Sequence, residues 1–169
     1  LRGEDRLLWS REEEALQEPW GFELGELPPL RAASRVTVSF QWPLRILERK
    51  RLLWKVSFRS FGRALLGRIS SLLEFHCHRI LDLPFRDLLA LAEEARVVEQ
   101  RLRKVSLKRW SNRQGEHQRL DGVAGTITWE GEAVEALWTA LRAGELVHVG
   151  KSTVFGLGKY ALSPCGEVS

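Results

Sequence analysis

The run RKVSLKRWSNRQGEHQRLDGVAGTITWEGEAVEALWTALRAG (103–144) decides the fold class. In 103–110, Val105 and Leu107 alternate with Lys104, Ser106 and Lys108. In 123–129, Val123, Gly125, Ile127 and Trp129 alternate with Ala124, Thr126 and Thr128. A period of two marks a strand with one buried face. The polar SNRQGEH (111–117) between the two predicts a turn, so they read as an antiparallel pair. The period then lengthens. Val134, Leu137, Trp138 and Leu141 recur at spacings of three and four, which predicts a helix over 132–143 with Gly144 placed to end it.

Upstream, Val36, Val38 and Phe40 alternate with Thr37, Ser39 and Gln41, a half-buried strand that Pro43 stops. Phe58, Phe61, Leu65, Ile69, Leu72, Leu73 and His76 then share one helical face, with Arg59, Arg63 and Arg68 elsewhere on that helix. A second helical pattern runs from Phe85 through Leu88, Leu89, Ala92 and Ala95 to Val98, and a last strand is expected over 153–162. Without the extra helix the order is βαββαβ. That predicts an α+β, ferredoxin-like fold of the kind seen in RNA-recognition modules: an antiparallel sheet with its helices on one face, and one extra helix inserted after the first. Residues 1–30, with Pro19, Pro28 and Pro29, read as an acidic lead-in or linker, and 31–169 as the domain.

Charge follows the same division. Residues 1–30 hold 3 basic and 8 acidic side chains, whereas the whole chain of 169 residues has 26 basic against 22 acidic, a formal net charge of +4. The basic residues are densest in 45–68 and 101–119, and only six are lysines. A basic body rich in arginine suits a polyanion, most often nucleic acid, although a solvated basic face has the same composition. Nothing approaches the roughly 18 consecutive apolar residues of a membrane span, and the amino terminus lacks a signal peptide's apolar core. Two cysteines, Cys77 and Cys165, make no disulfide framework, so a reduced, cytoplasmic setting is expected. The absence of methionine suggests that Leu1 is not a natural start and that the chain is a piece of a longer protein.

Two strings carry candidate chemistry. HVGKSTVFGLGKYAL (148–162) invites a P-loop reading, but Glu145 stands where the first glycine belongs and the following residues are strand-like. GLGKYA (156–161) likewise fails as a dinucleotide fingerprint, since the chain ends before the required helix and second strand. What remains is a loop in which Gly150, Gly156 and Gly158 permit close backbone approach and Lys151, Ser152 and Thr153 offer donors to phosphate oxygens. The same glycines also suit a tight turn under a packed helix. In KRWSNRQGEHQR (108–119), Lys108, Arg109, Arg113 and Arg119 supply charge, Trp110 and His117 supply planar surfaces, and Asn112 and Gln114 can read base edges. A solvated hairpin tip is the alternative. His76, Cys77 and His78 are too closely spaced on a helix to share an ion readily, so no metal site is expected and His76 reads as a core or boundary residue. The tryptophans are expected mostly in the core, Trp110 excepted. His148, beside the glycine loop, is a weak candidate for a general acid or base and more simply a binding or packing residue.

Taken in order, FQWPLRI (40–46), LLGRISSLLEFH (65–76), RWSNRQ (109–114), DGVAGTITWEG (121–131) and HVGKSTVFGLGKYAL (148–162) resemble the C-terminal domain of the CRISPR-associated endoribonucleases that process precursor CRISPR RNA, within the RAMP superfamily. The resemblance spans roughly 35–162. It implies a tandem of two ferredoxin-like domains of which this is the second. It also implies a metal-independent cut within each repeat by attack of a ribose 2′-hydroxyl on the neighbouring phosphate, with no cofactor. RNA contacts carried over by position fall on Gly150, Lys151, Ser152, Thr153, Gly156 and Gly158, and on Arg109 and Arg113. The family's catalytic histidine commonly belongs to the first domain, and no residue here matches it. The implied partners are CRISPR repeat RNA and either the protein's own N-terminal domain or a fused or associated CRISPR protein, with no membrane. Two other roles fit the same residues: a non-catalytic RAMP subunit that scaffolds guide RNA in an effector complex, and a basic protein-interaction domain.

Overall fold

The computed structural model describes residues 9–10, 15–16, 32–111 and 115–164. Two compact units follow one another, Leu1–Leu30 and Arg31–Ser169. In the first, β1 (Trp9–Ser10) pairs antiparallel with β2 (Ala15–Leu16); the rest of the expected acidic lead-in lies outside the described residues.

The second unit begins with β3 (Arg35–Leu44) and a small hairpin, β4 (Leu47–Glu48) with β5 (Arg51–Leu52). Next come α1 (Phe58–Cys77), α2 (Phe85–Glu94), β6 (Arg96–Ser111) and β7 (Glu116–Glu130). The chain closes with α3 (Glu132–Ala136), α4 (Trp138–Val147), a single 3₁₀ turn at Thr153–Phe155, and β8 (Tyr160–Pro164). The sheet order is β6-β7-β3-β8, antiparallel throughout. Each helical crossover therefore skips one strand: β7 lies between β3 and β6, and β3 lies between β7 and β8. That is the ferredoxin-like arrangement, with α2 as the inserted helix.

Val36, Val38 and Phe40 of β3 and Ile127 and Trp129 of β7 point from the same side of the sheet into one core with Phe58, Phe61, Leu65 and Leu66 of α1 and Leu141 of α4. Phe61 sits among three rings, 5.9 Å from Phe40, 5.1 Å from Trp129 and 5.4 Å from Tyr160 between centroids. Tilted and edge-on pairs of this kind add to the apolar area they bury. Ser57 begins α1 by accepting the N–H of Ser60.

Several local expectations are corrected. The hairpin strands run well past 103–110 and 123–129, because β-branched Val97 and Val98 join β6 as an extension opposite Trp129; α2 stops at Glu94 instead of reaching Val98. Pro43 does not stop β3. It lies in the irregular stretch between Phe40 and Leu44, where its missing N–H breaks no ladder. The last strand begins at Tyr160 and not at 153, since Ser152, Gly156 and Gly158 have φ of 66°, 80° and 74°, values an extended strand excludes. The helix after β7 is broken at Leu137 and does not end at Gly144, which lies inside α4 packed against Tyr160 and Leu65. His76 is exposed near the end of α1, so it is no core residue. Trp129 and Trp138 are buried, but Trp42, Trp54 and Trp110 are exposed.

Candidate nucleic-acid interface

The glycine-bearing segment is lashed to the end of β3 through its backbone. Lys151 N–H donates to the Arg45 carbonyl at 2.7 Å, and Gly158 N–H donates to the Pro43 carbonyl at 3.0 Å. A Cβ on Gly150 would lie 2.4 Å from the Arg45 oxygen, and one on Gly158 would lie 1.8 Å from the Val149 oxygen. Both glycines are thus required by backbone packing, at φ of 89° and 74°. Gly156, at φ of 80°, meets nothing within 4 Å and only turns the chain. The loop so held presents Lys151, Ser152 and Thr153 to an open groove.

Other parts of the chain line the same groove. Arg63 and Arg68 of α1 and Arg49 and Arg51 of the β4–β5 hairpin line it, with Ser60, Ala64, Gly67 and Ser71 as a low floor along α1. Arg59 also lines it but is engaged by Glu93 at 2.9 Å. Among the described residues no carboxylate stands within ion-pair distance of Arg49, Arg51, Arg63 or Lys151, and Glu48 is the one acid of the lining. Arg68 Nε donates to the Val147 carbonyl at 3.3 Å and so caps the end of α4. The four arginines are absent from the site residues expected from sequence. The signal that pointed to them was the density of basic residues in 45–68.

His148 follows that helix end at φ of 60°, half-buried. Partial burial holds its imidazole below the ordinary histidine pKa, the charge of Lys159 adds to this, a hydrogen bond with Leu157 backbone opposes it, and Arg68 depresses it further. Its surroundings, Arg68 of the groove among them, therefore favour the neutral imidazole.

The β6–β7 hairpin forms a second surface. Directly paired residues project to the same side, so Trp110 with His117 and Lys108 with Arg119 share one face. The Trp110 and His117 rings meet edge-on at 5.0 Å, and Trp110 is 55% exposed. Lys108 opposite Arg119 is a like-charge pair, disfavoured in a sheet and eased by Asp121 at 3.5 Å from Arg119. Arg109 takes the other face. Its guanidinium lies 4.0 Å over the Phe155 ring of the glycine-bearing loop, and its Nε donates to Gln118. The two strings singled out in sequence are thus joined through Arg109 and Phe155, while Lys108, His117 and Arg119 stand apart from the groove. Arg113, Asn112 and Gln114 lie outside the described residues. Among the described residues no three metal-ligand side chains converge, and no helix is long and apolar enough to cross a membrane.

Residues 38–160 match the sequence model of the family described as CRISPR-associated endoribonuclease Cas6. Among solved structures, Thermus thermophilus Cas6 (TTHB231) is similar with a TM-score of 0.63 at 21% identity, over 83% of this chain and 56% of that one. The Cas6 (TTHB231) product complex gives 0.64 at 20%, over 85% and 56%. A Cas6-RT-Cas1–Cas2 complex gives 0.56 at 17%, over 79% of this chain and 14% of that one. These likenesses show a shared fold, and this chain spans a little over half the length of the Cas6 chains. No curated protein matches it in sequence.

Proposed function

Because the chain belongs to the CRISPR-associated endoribonuclease Cas6 family, we propose that it is the RNA-binding half of an enzyme that cuts precursor CRISPR RNA within its repeats. Residues 31–169 act as the ferredoxin-like C-terminal domain and 1–30 as the acidic segment leading into it. The observation that carries this reading is the convergence of Arg63, Arg68 and Lys151 with the glycine-bearing loop on one groove, in a chain that matches the family over 38–160.

In the complete enzyme a ribose 2′-hydroxyl attacks the adjacent phosphorus, and the P–O5′ bond breaks. The products are a 2′,3′-cyclic phosphate and a 5′-hydroxyl, with the proton passing from the 2′-oxygen to a base and from an acid to the leaving oxygen. No metal is needed if cations hold the extra charge of the phosphorane. Lys151 and the groove arginines would bind and orient the phosphodiester. Trp110 and His117 offer rings against which a base can stack. Neutral His148 is the base candidate within this chain. The partners are a CRISPR repeat RNA and either the protein's own first ferredoxin-like domain or a fused or associated CRISPR protein; the similar Cas6-RT-Cas1–Cas2 complex supports the last of these.

The test is a gel assay of this chain with labelled CRISPR repeat RNA in EDTA. Cleavage in EDTA places the chemistry within these residues and makes His148 the first residue to substitute. A shift without cleavage supports an RNA-binding half that relies on another domain for catalysis, or a scaffold of guide RNA. Absence of both overturns the proposal.

A further inference from the structure

The β4–β5 hairpin is unexplained by the core. Each of its strands is two residues long, and Leu47 and Arg51 are exposed. A ladder this short has little stability of its own. Its register, Leu47 with Leu52 and Glu48 with Arg51, leaves Arg49 and Lys50 as the two turn residues. Both have positive φ, 47° and 65°. A two-residue hairpin asks for this conformation, and asparagine and glycine usually supply it because other side chains are strained there. Here two cations occupy both places, and Arg51 makes a third in succession.

Local rules broken together in an exposed turn point to function rather than stability. The direction of that function follows from placement. Arg49 and Arg51 line the same groove as Arg63 and Arg68 of α1 and Lys151 of the glycine-bearing loop. So many like charges around one open space repel one another unless an anion lies between them. A single phosphate would leave most of them unmatched, whereas a run of phosphodiesters would not.

We propose that the β4–β5 hairpin is a clamp on an RNA backbone, forming with α1 the two walls of a channel that grips phosphates whatever the base sequence. This rests on the RNA-binding reading above and adds a contact surface distinct from the aromatic face of the β6–β7 hairpin.

The test compares the full chain with the triple variant Arg49→Gln, Lys50→Gln, Arg51→Gln, on labelled CRISPR repeat RNA and on a scrambled RNA of equal length. Affinity is measured across salt. The triple variant is expected to bind both RNAs roughly tenfold or more weakly, with a log–log salt slope shallower by about 2. Unchanged slope and affinity on both RNAs would overturn the clamp and leave the processing role intact. An equal fall on both, with no preference of the parent chain for the repeat, would keep the clamp and overturn the repeat-processing role. Binding of neither RNA by the parent chain overturns both. Should the triple variant fail to fold by circular dichroism, Arg63→Gln on the opposite wall decides: its slope is expected to fall by about 0.7, and an unchanged slope overturns the channel.

Discussion

Replacing Gly144 by alanine sets a helix preference against a packing contact, and the distances say which wins. Alanine in a helix interior gains about 1 kcal/mol over glycine. At this position, however, the new Cβ would lie 2.1 Å from Tyr160 Oη and 2.5 Å from Leu65 Cδ1. Leu65 can shift its methyl. Tyr160 cannot move freely, because it is 2% exposed and its hydroxyl donates to the Leu141 carbonyl at 2.6 Å. Overpacking of this kind costs about 1–3 kcal/mol, and displacing the hydroxyl from its buried acceptor about 1–3 more. The net expectation for Gly144→Ala is a loss of about 1–5 kcal/mol, or a Tm lower by roughly 2–20 °C for a chain of this size. Thermal and urea unfolding followed by circular dichroism provide the assay. Gly67→Ala serves as the control, since a Cβ added there on α1 would meet nothing within 4 Å beyond the helix's own backbone, and the same exchange should stabilise by about 0.5–1 kcal/mol. Adding Tyr160→Phe removes the closest clashing atom, so the two changes together should cost at least about 1 kcal/mol less than their separate losses combined. A Gly144→Ala chain that melts at or above the parent would refute the packing account of this glycine.

Three further predictions concern the candidate interface. Lys151→Ala should weaken binding to RNAs of any sequence and make the salt slope shallower by about 1; an unchanged slope would remove Lys151 as a phosphate contact. Trp110→Ala should weaken binding to single-stranded RNA by about 1–3 kcal/mol, more than the roughly 0.2–1 kcal/mol of stability lost with its edge-on contact to His117. His148→Gln should flatten the pH dependence of stability. The folded imidazole has a pKa below the ordinary 6.5, so the unfolded chain takes up this proton first and stability falls as pH drops below about 6.5, until the folded group protonates too. Urea midpoints at pH 7 and pH 5 should therefore differ more for the parent than for the variant, and equal differences would refute the lowered value.

The sequence alone determined the elements whose repeat is built into the backbone. Val36, Val38 and Phe40 at every second position, and Phe58, Phe61 and Leu65 at threes and fours, mark buried faces because strand and helix geometry impose those periods. Their order then leaves the split βαβ arrangement, and the chain's own strings carried the family. Local pattern failed where distant contacts outweighed it. Val97 and Val98 continue a helical spacing, yet pairing with β7 draws them into β6. Gly144 has the composition of a helix stop, yet its missing Cβ makes room for Tyr160. The candidate interface shows the same division. Lys151 and Arg109 were legible from the strings around them, but no periodicity relates Arg63 and Arg68 to Lys151, or Arg109 to Phe155. Those groups meet only because α1 and the β4–β5 hairpin pack beside a loop lashed to the end of β3, while the long β6–β7 hairpin reaches that loop with Arg109. Charge in one groove is a sum over positions remote in the chain, and only the tertiary structure performs it.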